Sequence, residues 1–193
     1  VCGNSPGSSS GGGALDLAVS LSAPGQLAVS LGSGGGAFTP GVLVTTGSDP
    51  RDVVAGDVDG DGRVDLVTAN AGGGSVSVLR GAGTGTFAPQ TPVAVGGRPV
   101  RVGLADLDRS GSLDLAVLDE LGGTQPRVVA YAGGGAPPNV FGTAPFERLL
   151  GAASGPNGLA LGDFTGDGRI DLVTARAAAA NAVVVTNGSG TTC

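Results

Sequence analysis

The stretch DVDGDGRVDL (57–66) returns as DLDRSGSLDL (106–115) and again as DFTGDGRIDL (163–172), each time followed by a short Val/Ala/Thr run. The first step is 49 residues and the second 57, the extra length lying in the Gly/Pro-rich stretch 133–145. The 49-residue offset also works backwards. It lays GALDLAVSL (13–21) on GRVDLVTAN (62–70) and GSGGGAFTPG (32–41) on GAGTGTFAPQ (81–90), so that Phe38 falls on Phe87 and Pro40 on Pro89. Four units at a nearly constant spacing make this a repeat protein rather than a single irregular domain.

Within a unit the apolar residues come in short runs broken by Gly, Asn, Asp and Pro. In the second unit VVAG (53–56) precedes the acidic loop and VDLVTA (64–69) follows it. SVSVLR (75–80) alternates, with Val76 and Val78 on one face, and PVAVG (92–96) closes the unit. Runs of this length and composition are strands. The Ala run 177–180 is too short for a helix. The expected class is all-β, a propeller-like array of about four four-stranded blade units. These span residues of about 14–47, 48–97, 98–151 and 152–193, behind a Gly/Ser-rich segment at 1–13. That segment stands where a first strand and acidic loop belong but carries no carboxylates and, beyond Val1 and Cys2, no apolar residues, and the last unit stops short of a fourth strand. The expectation is therefore four, four, three and three strands, about 14 in all.

Composition narrows the chemistry. The 193 residues include 39 Gly and 12 Pro, yet 40% are apolar, so the chain is no charge-solvated disordered segment. It has no His, Met, Trp or Lys. Histidine bases and ligands, lysine Schiff bases and phosphate-loop lysines are thereby excluded. A net charge of −6 argues against a nucleic-acid partner. The longest apolar runs fall far short of a membrane-spanning helix.

Ten of the sixteen acids sit in the three loops. Asp57, Asp59, Asp61 and Asp65 occupy positions 1, 3, 5 and 9 around Gly62, with the Arg63 carbonyl at position 7. Oxygens at alternate positions about such a turn converge on one point, as in an EF-hand loop, and suit Ca²⁺. No Glu stands at position 12, where Thr68 is found, so Asp65 is expected to close the cage. The second loop offers Asp106, Asp108, Ser110 and Asp114, the third Asp163, Thr165, Asp167 and Asp171. With a hydroxyl in place of one carboxylate, both are expected to bind more weakly than the first. About three Ca²⁺ are expected in all, enough to offset the net charge of −6. Asp-Gly pairs also make plain turns, but three loops in register, each crowding carboxylates that repel without a cation, favour the metal.

The motif D-x-D-x-D-G-x-x-D-L followed by a Val/Ala strand, repeated over about 14–190, resembles the FG-GAP/VCBS class of calcium-binding propeller repeats. The resemblance implies an extracellular β-propeller whose loops hold Ca²⁺ between the first and second strands of each blade. Such propellers usually have about seven blades, and four units leave three solutions open. A small ring clasped by a Cys2–Cys193 disulfide is one, two or more chains sharing a ring or filament through open edges is another, and a fragment of a longer protein is the third. The two cysteines then close one chain or join two, and Cys2 as a lipidated anchor is the remaining alternative.

The functional expectation is a secreted or cell-surface calcium-stabilised scaffold of structural or adhesion type, self-associating, and not an enzyme. A lectin-like module that binds extracellular polysaccharide is the alternative, disfavoured by five Phe and one Tyr as the only aromatics. Lesser signals are the sequon Asn187-Gly188-Ser189, the charges Asp49, Asp52, Arg98 and Arg101 at strand ends, and Tyr131 as core or rim.

Overall fold

A computed structural model of the chain describes residues 2–4, 14–120, 125–137, 140–142, 146–150, 156–176 and 181–187. Among them every regular element is a strand, and the strands form four small antiparallel sheets and a hairpin. Sheet 1 contains β1 (Cys2–Asn4), β2 (Leu15–Leu21), β3 (Gln26–Ser30) and β6 (Val42–Thr45), with the hairpin β4 (Gly32–Gly34) and β5 (Ala37–Phe38) inserted before its last strand. Sheet 2 is β7 (Pro50–Gly56), β8 (Asp65–Asn70), β9 (Ser75–Leu79) and β10 (Thr91–Ala94). Sheet 3 is β11 (Pro99–Ala105), β12 (Asp114–Asp119), β13 (Arg127–Tyr131) and β14 (Phe146–Leu149). Sheet 4 has β15 (Pro156–Gly162), β16 (Asp171–Arg176) and β17 (Asn181–Val185).

Each sheet is a meander, its strands lying side by side in chain order. The first strands of sheets 2, 3 and 4 open on a proline, Pro50, Pro99 or Pro156, and immediately slip register against the second strand. Proline lacks the N–H a ladder needs, so the start of a strand beside a bulge is where a sheet tolerates it. The sheets stack in a row, with β7 against β11 and β11 against β15.

Alternation puts apolar side chains on both faces of the inner sheets. Val53, Leu66 and Leu79 pack with Ala18, Leu27 and Val29 between sheets 1 and 2. Val67, Val76 and Val78 pack with Val102, Leu115, Val117, Val129 and Tyr131 between sheets 2 and 3. Ala116, Leu118 and Val128 meet Leu172, Leu159 and Val183 between sheets 3 and 4. Each fully buried Val or Leu contributes about 1.5–3 kcal/mol, so these three layers hold the array together.

The structure departs from the sequence reading in two places. Sheet 1 has a fourth strand, because Cys2–Asn4 pairs with Leu15–Leu17 despite lacking an apolar pattern. Pairing there is made by main-chain groups, which need no hydrophobic side chain. The described strands also form an open row and not a closed ring: Val19 and Leu43 on sheet 1 and Val184 on sheet 4 are exposed at its two ends. The expected disulfide falls on Cys193 and on the Cys2 side chain, outside the described residues, as does the Ala run 177–180.

Candidate metal centre

The three acidic loops join the first strand of a sheet to the second, β7 to β8, β11 to β12 and β15 to β16. In the first, carboxylate oxygens of Asp57, Asp59 and Asp61 all lie within 4.8 Å of one another. Main-chain donors fix them there. Asp57 accepts the N–H groups of Gly60 (2.8 Å) and Asp61 (3.1 Å) on Oδ1 and of Gly62 (2.8 Å) on Oδ2. Asp61 Oδ1 accepts the Arg63 N–H at 2.9 Å. Gly60 and Gly62 take left-handed φ values of 75° and 82°, which glycine adopts without strain.

The second loop gathers Asp106, Asp108 and Asp114 within the same 4.8 Å. Asp106 Oδ2 accepts the Gly111 N–H at 3.0 Å, whereas its Oδ1 is buried with no hydrogen-bond partner. A buried carboxylate oxygen without a donor is costly unless a cation supplies the missing charge. Arg109 stands where the first loop has Gly60 and keeps the left-handed conformation, φ 64°. Its guanidinium reaches across to the third loop and donates to the main-chain carbonyls of Asp167 and Gly168.

In the third loop Asp163 is braced like Asp57, accepting from Gly166, Asp167 and Gly168. The Thr165 hydroxyl instead donates to Asp171 Oδ2 at 3.2 Å, and the three carboxylates of this loop are not gathered within the distance that defines the other two groups.

The aspartate at position 9 has a role the sequence reading did not assign. Asp65, Asp114 and Asp171 are essentially unexposed. Asp65 Oδ2 accepts the Val58 N–H (2.9 Å), and its Oδ1 accepts the N–H of Gly81 (2.8 Å), just beyond β9. Asp114 does the same for Leu107 (2.7 Å) and Gly133 (2.7 Å), and Asp171 for Phe164 (3.1 Å) and Asn187 (2.8 Å). Asp16, in the unit without an acidic loop, still accepts the Gly32 N–H at 2.9 Å. This residue is first of all a clamp between the loop and the exit of the third strand. The signal for it is in the sequence: the Asp-Leu pair at 16–17 persists where the metal loop does not.

Burial pushes the Asp65 carboxyl above its ordinary value, with repulsion from Asp59 and Asp61 adding to it and the Gly81 and Val58 N–H groups opposing. Asp171 lies below the ordinary range, held there chiefly by the Asn187 N–H and further by Phe164 and Thr165. Arg63, expected to offer its carbonyl, also brings its guanidinium onto Asp61 and donates through Nε to the Gly81 carbonyl at 3.1 Å.

Of the four charges at strand ends, Asp52 is a joint between sheets, while Asp49 pairs with Arg51 at 2.9 Å and Arg101 donates to the Val100 carbonyl at 2.7 Å. Asp52 accepts the Val102 N–H at 3.1 Å, linking β7 to β11, and Arg98 pairs with Glu120. Arg127, which the sequence reading passed over, bonds Asp119, Glu147 and the carbonyls of Val95 and Gly96, tying sheet 3 to the end of sheet 2. Asn187, the sequon asparagine, is buried and donates its side-chain amide to the Leu107 carbonyl at 2.6 Å. That nitrogen is the atom a glycan would occupy, so the folded chain does not present it for modification.

Four meanders recurring about every 50 residues, three of them with an Asp-rich turn between first and second strands, agree with what a comparison with protein families finds. An FG-GAP-like repeat matches residues 11–68 and 57–117, and the chain belongs to the FG-GAP-like repeat family. A search of curated proteins gives no match to the chain.

Proposed function

We propose that the chain is an extracellular calcium-binding scaffold of structural or adhesion type, a propeller-like array that Ca²⁺ stabilises and that self-associates, and that it is not an enzyme. One observation carries the reading: two loops each gather three carboxylates within 4.8 Å, one with a buried oxygen, Asp106 Oδ1, that lacks a donor. A hard divalent cation takes six to eight oxygens, and bound there it would neutralise the crowding. Asp57, Asp59 and Asp61 would hold one ion, and Asp106, Asp108 and Asp114 a second; Asp114 has Oδ1 and Oδ2 already bonded to main chain and retains further lone pairs. The FG-GAP family supports the extracellular setting, and no helix among the described residues is long and apolar enough to cross a membrane. The non-catalytic reading rests on the same carboxylates, since the clustered acids are engaged as loop braces and main-chain clamps.

The test is thermal unfolding in Ca²⁺ and in chelator. A ligand bound only by the folded state at 100 times its Kd stabilises by about 2.7 kcal/mol. The melting temperature should therefore rise with Ca²⁺ and fall with chelator. An unmoved transition in both would overturn the calcium reading.

A further inference from the structure

Three phenylalanines occupy one structural position. Phe38, Phe87 and Phe141 each precede a residue whose N–H bonds back across the hairpin at 2.8 Å: Thr39 to Leu31, Ala88 to Arg80 and Gly142 to Ala132. Phe87 of unit 2 sits over unit 1, beside Ala18, Val29 and Leu31. Phe141 of unit 3 is 3% exposed, in the cluster that holds Val67 and Val78 of unit 2. The Phe87 and Phe141 rings are thus the knobs by which one unit seats on the unit before it. Phe38 is 48% exposed, and a methyl group built on Gly34, Gly35 or Gly36 beside it would meet nothing within 4 Å. At the equivalent of Gly36 in unit 2, Gly85, it would strike the Leu31 side chain at 2.7 Å.

The matching seat is open at the other end of the row. Strand pairing equates Leu17 with Leu172 and Ser30 with Val185, so the seat formed by Ala18, Val29 and Leu31 corresponds to Val173, Val184 and Thr186. Val184 is 51% exposed, and Val173, its cross-strand partner, is half-buried. Knob and seat lie on opposite end faces of the same chain; Phe38, Val173 and Val184 have the residue types of the internal interfaces, and Thr186 stands where they have Leu31 and Arg80.

We propose that Phe38 of one copy of this chain seats on Val173, Val184 and Thr186 of a second copy, repeating between chains the contact by which unit 2 seats on unit 1. The interface is heterologous, joining the first unit of one chain to the fourth unit of the next. It therefore propagates into a ring or a filament. Continuity with the two internal seats selects a second copy as the occupant. The inference deepens the self-associating part of the scaffold reading and is independent of calcium.

Sedimentation of the 193-residue chain over a range of concentrations, in Ca²⁺ and in chelator, tests it. The mean mass should grow with concentration beyond a dimer. Phe38→Asp and Val184→Asp change exposed side chains, so both variants should keep the strand signal of the parent. Each should weaken association at least about tenfold, as loss of a central anchor does. An equimolar mixture of the two should form a dimer and nothing larger, since each variant retains the face the other lacks. A parent chain that stays monomeric, variants that assemble like the parent, or a mixture that stays monomeric would each overturn the interface. None of these results would alter the calcium-dependent melting, so the two readings fail separately.

Discussion

Asp65 holds the N–H of Gly81 at 2.8 Å from sixteen residues away, and the space between them admits no side chain. A Cβ on Gly81 would lie 2.1 Å from the Val64 carbonyl oxygen, and Gly32 and Gly133 face Leu15 and Leu113 at 2.2 and 2.1 Å. Carboxylate and glycine thus form one device, repeated in three units. Asp65→Asn keeps the shape but turns a donor toward one of two buried N–H groups, a change that costs about 1–3 kcal/mol. Asp57→Asn removes a loop carboxylate and disturbs only the exposed Gly60, Asp61 and Gly62 N–H bonds. The expected outcome is that Asp65→Asn lowers the melting temperature equally in Ca²⁺ and in chelator, whereas Asp57→Asn lowers it more in Ca²⁺ than in chelator. Identical profiles for the two variants would refute the division of labour.

The loops should fill in order. Two of them gather three carboxylates within 4.8 Å, while in the third the Thr165 hydroxyl is committed to Asp171. Calorimetric titration with Ca²⁺ should show the first two loops saturating before the third. Asp57→Asn or Asp106→Asn should remove a tight site, and Asp163→Asn should leave both tight sites intact. Loss of tight binding in the Asp163 variant would contradict the ordering.

The joint between sheets 2 and 3 should be the most sensitive point on the electrostatic map. Asp119 is fully buried and Arg127 is 15% exposed in its side chain, whereas the Arg98–Glu120 pair is 43% and 22% exposed. Removing one member of a buried pair strands the other and costs about 3–5 kcal/mol, and an exposed pair contributes about 0–1 kcal/mol. Arg127→Met should therefore destabilise far more than Arg98→Met in denaturant unfolding. Equal effects would show that the burial of Asp119 carries no penalty.

The 49-residue offset was enough to predict the strands of sheet 2, because alternation and Asp-Gly turns are local signals. The same offset also set Phe38 on Phe87, but Phe141 lies beyond a longer hairpin and came into register only through the main-chain bonds. β1 was illegible because Cys2–Asn4 is held by backbone pairing alone. Spacing alone makes Asp65 a cage ligand, because it shows which oxygens can converge and not which N–H groups lie nearby. Arg127 and Asn187 bond partners 31 and 80 residues away, and no local pattern announces contacts of that range.

Tyr131 gives the array an alkaline limit that a single chromophore can report. It is the only tyrosine, the chain has no tryptophan, and its hydroxyl donates to the Ala94 carbonyl at 3.3 Å inside the layer between sheets 2 and 3. Burial pushes its pKa above the ordinary value, and Asp119 and Glu147 act in the same direction against Arg127. A raised pKa means that the folded state holds the proton more tightly than the unfolded chain does. Below the unfolded value, about 10, both states are protonated and the contribution is fully present. As pH rises through the folded pKa, the unfolded chain has already lost its proton and that stability disappears. Tyrosinate absorbance should therefore appear above the ordinary midpoint and together with the loss of the strand signal in circular dichroism. Ionisation at the ordinary value with the sheets intact would place the ring in solvent and contradict the packing of sheets 2 and 3.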